Sequence, residues 1–352
     1  MAAKNENQQR TSKLIIAGTE VNVTLDVVSI DTLRLDPDNP RIRFQINNGT
    51  HKKPTNGDEL LAIVRAQPGY EDLQKQIRKQ GGVHDPLIVR HDGTIVEGNT
   101  RFAVVSWLAK PDRSVTQWTT VPIMRLAQGV PERINRLLMA NYHIAGKTPW
   151  RPAGQAEHIY RLIEEDKISA EVVADATRLS TKKVQQYVDA YKFLIREVVP
   201  EVEVGGKVDR KDILEKKFSH ALELITRKDL EPIRADPVAR KEVAKLIATD
   251  KIQGAQVRRL PSVMRSAKTK DILVKNGFNA ANEALKKVDP TADSKILKVI
   301  QSLTVMLKSM DQDDIELFRK YAKARKALED LRDATQPVLE IAKPREGKRD
   351  AH

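Results

Sequence analysis

Apolar and polar residues alternate through Val21, Val23, Leu25 and Val27, a period of two that predicts a strand with one face against a core. A second extended run over 85–90 meets the turn sequence His91-Asp92-Gly93 and returns as Thr94-Ile95-Val96, which predicts a hairpin. The period changes after Gly98. Phe102, Val105, Trp107 and Leu108 recur at helical spacing, which places Gly98-Asn99-Thr100 at a helix N-terminus. Residues 58–66, 70–80 and 132–141 read as helices and 119–125 as a strand. The stretch 44–56, with its Asn-Asn-Gly and Lys-Lys-Pro, reads as a loop whose His51, Lys52 and Lys53 either form a solvated basic face or reach a phosphate, the former being the favoured reading.

From Arg151 onward helical periodicity dominates, and 170–189 has the spacing of a helix-turn-helix. Ala174 is small where two helices approach, Leu179 anchors the turn, Ser180 is a good cap, and Val184, Tyr187 and Val188 form the buried face of the second helix. Thr181, Lys182, Lys183, Gln185 and Gln186 then project outward, with glutamines suited to adenine in a major groove and lysines to phosphates. Any amphipathic helix pair with a polar face can imitate this pattern. Arg178 occupies the turn position that favours glycine, and because a left-handed non-glycine residue costs roughly 1 kcal/mol, a wider turn is expected.

The last third is helical, with one apolar stripe through Ile296, Val299, Ile300, Leu303, Leu307 and Met310 and another through Ile315, Phe318, Tyr321, Ala322, Leu328 and Leu331. Two such helices cannot bury both faces as an isolated hairpin, so they are expected to pair with a second copy or fold back. The expected organisation is a disordered tail (1–20), a mixed α+β domain (21–148), an all-α helix-turn-helix domain (149–265), a helical dimerisation region (266–343) and a flexible tail (344–352).

The 352-residue chain carries a formal charge of +13, which favours a polyanionic partner: nucleic acid first, an anionic membrane surface second. Aromatic residues make up only 4% of it, too few for a base-stacking platform, so double-stranded DNA is favoured over single strands. There is no cysteine, which removes thiol catalysis and sulfur-ligated zinc. None of the seven histidines has a metal-ligand spacing. Without an apolar run of ~18 residues or a signal-like N-terminus, a cytoplasmic location without membrane insertion is expected. Arg258, Arg259 and Arg265 form a basic cluster that either touches phosphate or is a solvated face. Gly146-Lys147-Thr148 is not a Walker motif, because position 141, where the first glycine belongs, is Asn141.

The turn after the hairpin is where chemistry concentrates. Free N–H groups at a helix N-terminus attract anions, Gly98 lets the main chain approach, Asn99 and Thr100 cap or donate, and Arg101 offers a forked cation for phosphate oxygens. Equally, these residues suit a capped helix in which Arg101 pairs with Glu97.

Asp36-Pro37-Asp38-Asn39-Pro40-Arg41, the helix over 70–80, the run from Gly81 through Val83 and Pro86 to Val89, and then Glu97 to Arg101 follow in an order that resembles the N-terminal domain of the ParB partition proteins. There an Asn-Pro-Arg-like element, a G-V-x-x-P-L-x-V strand and a G-E-R-R turn succeed one another. The resemblance covers most of 21–260 and implies a ParB/sulfiredoxin-like domain followed by the helix-turn-helix domain, in a plasmid- or phage-type relative. It further implies CTP with Mg2+ as the ligand, held by Gly98, Asn99, Thr100 and Arg101, with Asn39 and Arg41 matching the earlier element. The family's E-N-x-x-R element falls on 140–144, where Asn141 is kept but Ala140 and Ile144 replace the carboxylate and the arginine. That departure bears on hydrolysis more than on binding. His143 is either a substitute donor or simply a packed or exposed helix residue, and Lys147 is a nucleotide contact only through the resemblance. The turn also resembles the D-G-H-x-R of a small-molecule kinase on the same fold, which makes Glu97 the candidate for holding magnesium or acting as a base; sulfiredoxin chemistry is excluded because it needs a cysteine. Three functions stay open: a nucleotide-gated DNA-binding partition protein, dimeric and served by a partition ATPase; a nucleotide hydrolase, kinase or nuclease; and a DNA-binding regulator that uses the first domain as scaffold.

Overall fold

A computed structural model of the chain describes residues 10–48, 54, 56–112, 114–145, 150–203, 210–291 and 294–343. Two strands open it, β1 (Arg10–Ile16) and β2 (Thr19–Ser29), followed by β3 (Arg34–Leu35) and the helices α1 (Pro40–Asn48), α2 (Gly57–Arg65) and α3 (Tyr70–Gln80). The hairpin of β4 (Leu87–Val89) and β5 (Thr94–Glu97) leads into α4 (Asn99–Leu108), the short α5 (Thr116–Thr119), β6 (Thr120–Leu126) and α6 (Glu132–His143). Thereafter the chain is helical, through α7 (Pro152–Glu164), α8 (Ala170–Thr177) and α9 (Thr181–Phe193).

The six strands form one mixed sheet in the order β1-β2-β6-β4-β5-β3. β4 runs antiparallel to β5 and parallel to β6, with Ile88 opposite Met124. Leu87-Ile88-Val89 is apolar without a break because both faces of this central strand are covered. Leu87, Val89 and Ile95 point into a cluster with Val64, Ile77, Phe102 and Val105, whereas Ile88 and Val96 point into one with Leu138, Met139, Ile159, Val173 and Val184. The second cluster therefore joins the sheet to α6 through α9, and residues on either side of 148/149 share one core.

The structure corrects two expectations. Arg10–Ile16 is a strand where a disordered tail was expected, paired with β2 in register from Arg10 opposite Leu25 to Ile16 opposite Thr19. Its side chains are mostly exposed, so it lacks the apolar alternation that announces a strand, and the pairing of backbone groups with β2 holds it instead. Residues 44–48 are helical where a loop was expected: Ile42 and Phe44 are buried beneath α1, and that anchorage outweighs the weak propensity of Asn47-Asn48. His51, Lys52, Lys53 and Lys147 lie outside the described residues.

Arg43 of α1 and Glu157 of α7 form an ion pair at 3.5 Å with both side chains about nine-tenths buried, and Asn48 Nδ2 donates to Glu157 Oε2 at 3.3 Å. Burial pushes the Glu157 carboxyl up and the Arg43 guanidinium down, each opposed by the other's charge.

The chain forms two compact units, residues 1–284 and 285–352. In the second unit, Lys295–Lys308, Gln312–Lys320 and Ala322–Ile341 are helices. Asp311 caps the second by accepting from the Asp314 amide at 2.8 Å. Ile296, Val299, Ile300 and Ile315 are exposed on these helices, as is Tyr321 between the last two. Among the described residues no helix is long and apolar enough to cross a membrane.

Candidate anion-binding cleft

Gly98 joins β5 to α4 at φ +99°, in the left-handed region where glycine is at ease. A Cβ there would lie 2.8 Å from Leu87 Cγ, so the turn is both strained and tight for any other residue. Phe102 N–H is the first amide of α4 to bond back, to the Gly98 carbonyl at 2.9 Å, and the amides ahead of it lie outside the helix's own ladder. They open onto a cleft of about 1100 Å³.

This cleft brings together Asn39, Glu97, Gly98, Asn99, Thr100, Arg101, Asn141 and His143, residues spread over a hundred positions of sequence. Of the predicted nucleotide ligands, Arg41 lies in α1 with its side chain outside the described residues. Asn39 is a scaffold residue, 2% exposed, donating through Nδ2 to the Val96 carbonyl at 3.3 Å. His143 stacks on Trp150, with ring centroids 4.8 Å apart. Asn99 is 9% exposed, and its Oδ1 is buried without a hydrogen-bond partner among the described residues. Such an orphan costs free energy until a donor arrives, and a carboxamide can present either its oxygen or its NH2 to a ligand.

Arg101 takes the partner that its helical spacing from Glu97 allows. Its Nη2 is ion-paired to Glu97 Oε2, and Nη1 donates to the Asp85 carbonyl at 2.7 Å and the Pro86 carbonyl at 3.3 Å. The guanidinium thus clips the start of β4 to the end of β5, with its side chain 19% exposed. Glu97 is correspondingly engaged. Among the described residues no three histidine, aspartate or glutamate side chains cluster as a metal site.

Asp72, Gln76, Asp85, Tyr142 and Arg178 also line the cleft, a placement that no local pattern in the sequence announces. Asp72 and Gln76 sit on a polar face of α3 that looks like an ordinary solvated stripe. Burial, the Glu97 carboxylate and, in the opposite direction, the Arg101 guanidinium act on the Tyr142 phenol, with the net effect of raising its pKa. Arg178 had a signal in sequence, being a long cation where glycine was expected, but nothing local says which way it faces.

The helix pair expected at 170–189 is present. Ser169 and Ser180 cap α8 and α9 with their side-chain oxygens. The turn between them is not widened: Arg178 itself adopts φ 55°, ψ 28°, a conformation costing about 1–2 kcal/mol for a residue with a Cβ. The Arg178 amide bonds to the Asp175 carbonyl at 3.3 Å and the Leu179 amide to the Ala174 carbonyl at 3.2 Å. With Val173, Ala176, Val184 and Val188 buried around it, this closure keeps the turn short. Thr181, Lys182 and Gln185 are exposed, whereas Lys183 and Gln186 are half-buried. Lys183 Nζ lies 5.1 Å from the Tyr187 ring centroid, and Gln185 Nε2 donates to Asp189 Oδ1 at 2.9 Å.

Fold and cleft define an α/β protein with a ligand-sized crevice at the turn between strand and helix, continued by a helical region. No family model matches the chain, and no curated protein matches it. Among solved structures, the C-terminally truncated chromosome-partitioning protein ParB from Caulobacter crescentus, complexed to the centromeric parS site, is 16% identical over 67% of this chain and 98% of its own, with a TM-score of 0.35. The ParB-N domain of a Pnob8-like protein is 16% identical over 76% of this chain and 99% of its own, at a TM-score of 0.39. The truncated Caulobacter protein complexed with CTP-gamma-S is 18% identical over 62% of this chain and 98% of its own, at a TM-score of 0.22. At such scores the functional reading rests on the residues of this chain.

Proposed function

We propose that the protein binds double-stranded DNA through α9 and a nucleoside triphosphate with Mg2+ in the cleft, as a partition-type protein gated by its nucleotide. The cleft carries this reading: a glycine turn, the N-terminus of α4 and the buried Asn99 Oδ1, unpartnered among the described residues, face one space of about 1100 Å³. Gly98, Asn99 and Thr100 would hold phosphate and sugar oxygens by backbone and side-chain groups. Asp72, Asp85 and Glu97 line the same space, so a bare polyphosphate meets repulsion that a bound divalent cation offsets. Magnesium is ordinarily held by one or two carboxylates together with phosphate oxygens, and Glu97 is the carboxylate at the turn. The order of motifs resembling the ParB family supports CTP as the nucleotide. Ala140, in place of the family's carboxylate, favours a binding switch over rapid hydrolysis.

Calorimetry with CTP, ATP, GTP and UTP, each with Mg2+ and with or without duplex DNA, tests the reading. At least one triphosphate should bind, and Arg101→Ala should weaken it about tenfold or more, the loss expected when a charge-assisted bond or its support is removed. A melting curve for the variant separates lost contact from a loosened β4–β5 clip. If none of the four binds wild type, the reading fails.

A second arm concerns the reader. Lys182→Ala should weaken all duplexes alike and reduce the salt slope by about one, whereas Gln186→Ala should cost roughly 1–3 kcal/mol at one base position. Unchanged affinity for both variants would remove α9 from the interface. The exposed apolar residues of 295–308 make a homodimer part of the same proposal, because a helix-turn-helix ordinarily meets paired half-sites.

A further inference from the structure

Arg101, the cation that sequence places at the cleft, is occupied by Glu97 and two carbonyls. Among the described residues, Arg178 also lines the cleft. It comes from the turn between α8 and α9, it is exposed, and among the described residues its guanidinium has no hydrogen bond or ion pair. Its backbone is held at φ 55°, where glycine would be relaxed, so the position keeps a long cation at a conformational cost. Lys167 and Asp250 take the same backbone region, so what sets Arg178 apart is its place on the lining of the cleft.

The same turn is tied to the cleft a second time. Asn141, another lining residue, donates from Nδ2 to the Ala176 carbonyl at 3.2 Å, one turn of chain before the N-cap of α9. Between Arg178 and α9 stand only Leu179, packed against the shared core, and Ser180, whose side chain accepts from the Lys183 amide.

We propose that Arg178 is a ligand-contact residue: its guanidinium engages the phosphates of a nucleoside triphosphate in the cleft and thereby sets the position of the N-terminal turn of α9. The proposal rests on the cleft reading above and adds to it the element that carries occupancy to the DNA-facing helix. Chemically the contact needs a polyanion within reach of a forked donor, which the triphosphate supplies. Mechanically it needs a short, stiff connection. Two residues and a capped helix provide one, and a ligand that prefers one placement of Arg178 shifts α9 by that difference in affinity.

The experiment uses the full chain as wild type, Arg178→Gly and Arg178→Lys, titrated with Mg2+–CTP and with Mg2+–tripolyphosphate, alongside melting curves and duplex affinity at saturating and zero ligand. Arg178→Gly should bind the triphosphate about tenfold more weakly while melting no lower than wild type, since glycine relaxes the turn. The effect of ligand on duplex affinity should disappear in it, and Arg178→Lys should restore part of both. If wild type binds and Arg178→Gly binds equally tightly with unchanged coupling to duplex, the role of Arg178 is overturned while the cleft reading stands. If wild type binds neither probe, both fall together.

Discussion

Replacing Glu157 by alanine should lower the unfolding free energy by about 3–5 kcal/mol, because the change strands the Arg43 guanidinium in a buried site. The pair spans 3.5 Å with about a tenth of each side chain exposed, Arg43 Nε already lacks a partner among the described residues, and Asn48 would lose its acceptor. Burial weakens the charged form of both members, so the pair offsets its own desolvation more than it adds stability. The double replacement Arg43→Met/Glu157→Met should therefore recover most of the loss, and chemical denaturation of the two singles and the double measures the coupling. A single variant within 1 kcal/mol of wild type, a threshold set at about the value of an exposed pair, would mean that water reaches the site. His158, beside Glu157, is fully buried and its pKa is pushed down to about 3, chiefly by desolvation. It is neutral at pH 7 and adds no charge to the cluster.

Gly98→Ala is expected to cost about 2–4 kcal/mol and to abolish the shape of the cleft's turn. Two terms add: the left-handed backbone at φ +99° and the contact of a new Cβ with Leu87 Cγ at 2.8 Å. Leu87 is fully buried on the central strand, so it cannot swing away. Gly18 supplies the control, since it also has a positive φ, +75°, but nothing within 4 Å of a Cβ. Gly18→Ala should cost only about 1 kcal/mol. Equal losses at the two positions would show that Leu87 yields and that the turn is not packed as described.

Much of the architecture was legible because it is local. Leu87 to Val96 reads as a hairpin and 70–80 as a helix from spacing alone, and the structure has both. Gly98 announced a turn ahead of a helix, and that turn lines the cleft with Asn99, Thr100 and Arg101. β1 was missed because its side chains are exposed and only its backbone is committed to the sheet. The end of α1 was missed because Asn47-Asn48 favours a turn unless residues such as Phe44 find a core.

What the sequence by itself determined is the set of elements and the chemistry at each turn: periodicity of two or 3.6, a glycine with no alternative, serine caps, a basic chain. What only the tertiary structure decided is which of those groups face one another. Arg101 could bind an anion or Glu97, and the approach of the Asp85 and Pro86 carbonyls settles it on the acid. Arg178 could widen its turn or strain it, and the buried neighbours on α8 and α9 hold the turn short. Each outcome depends on side chains far apart in sequence meeting in a packed interior, where the energy of a contact exists only after the chain has closed upon itself.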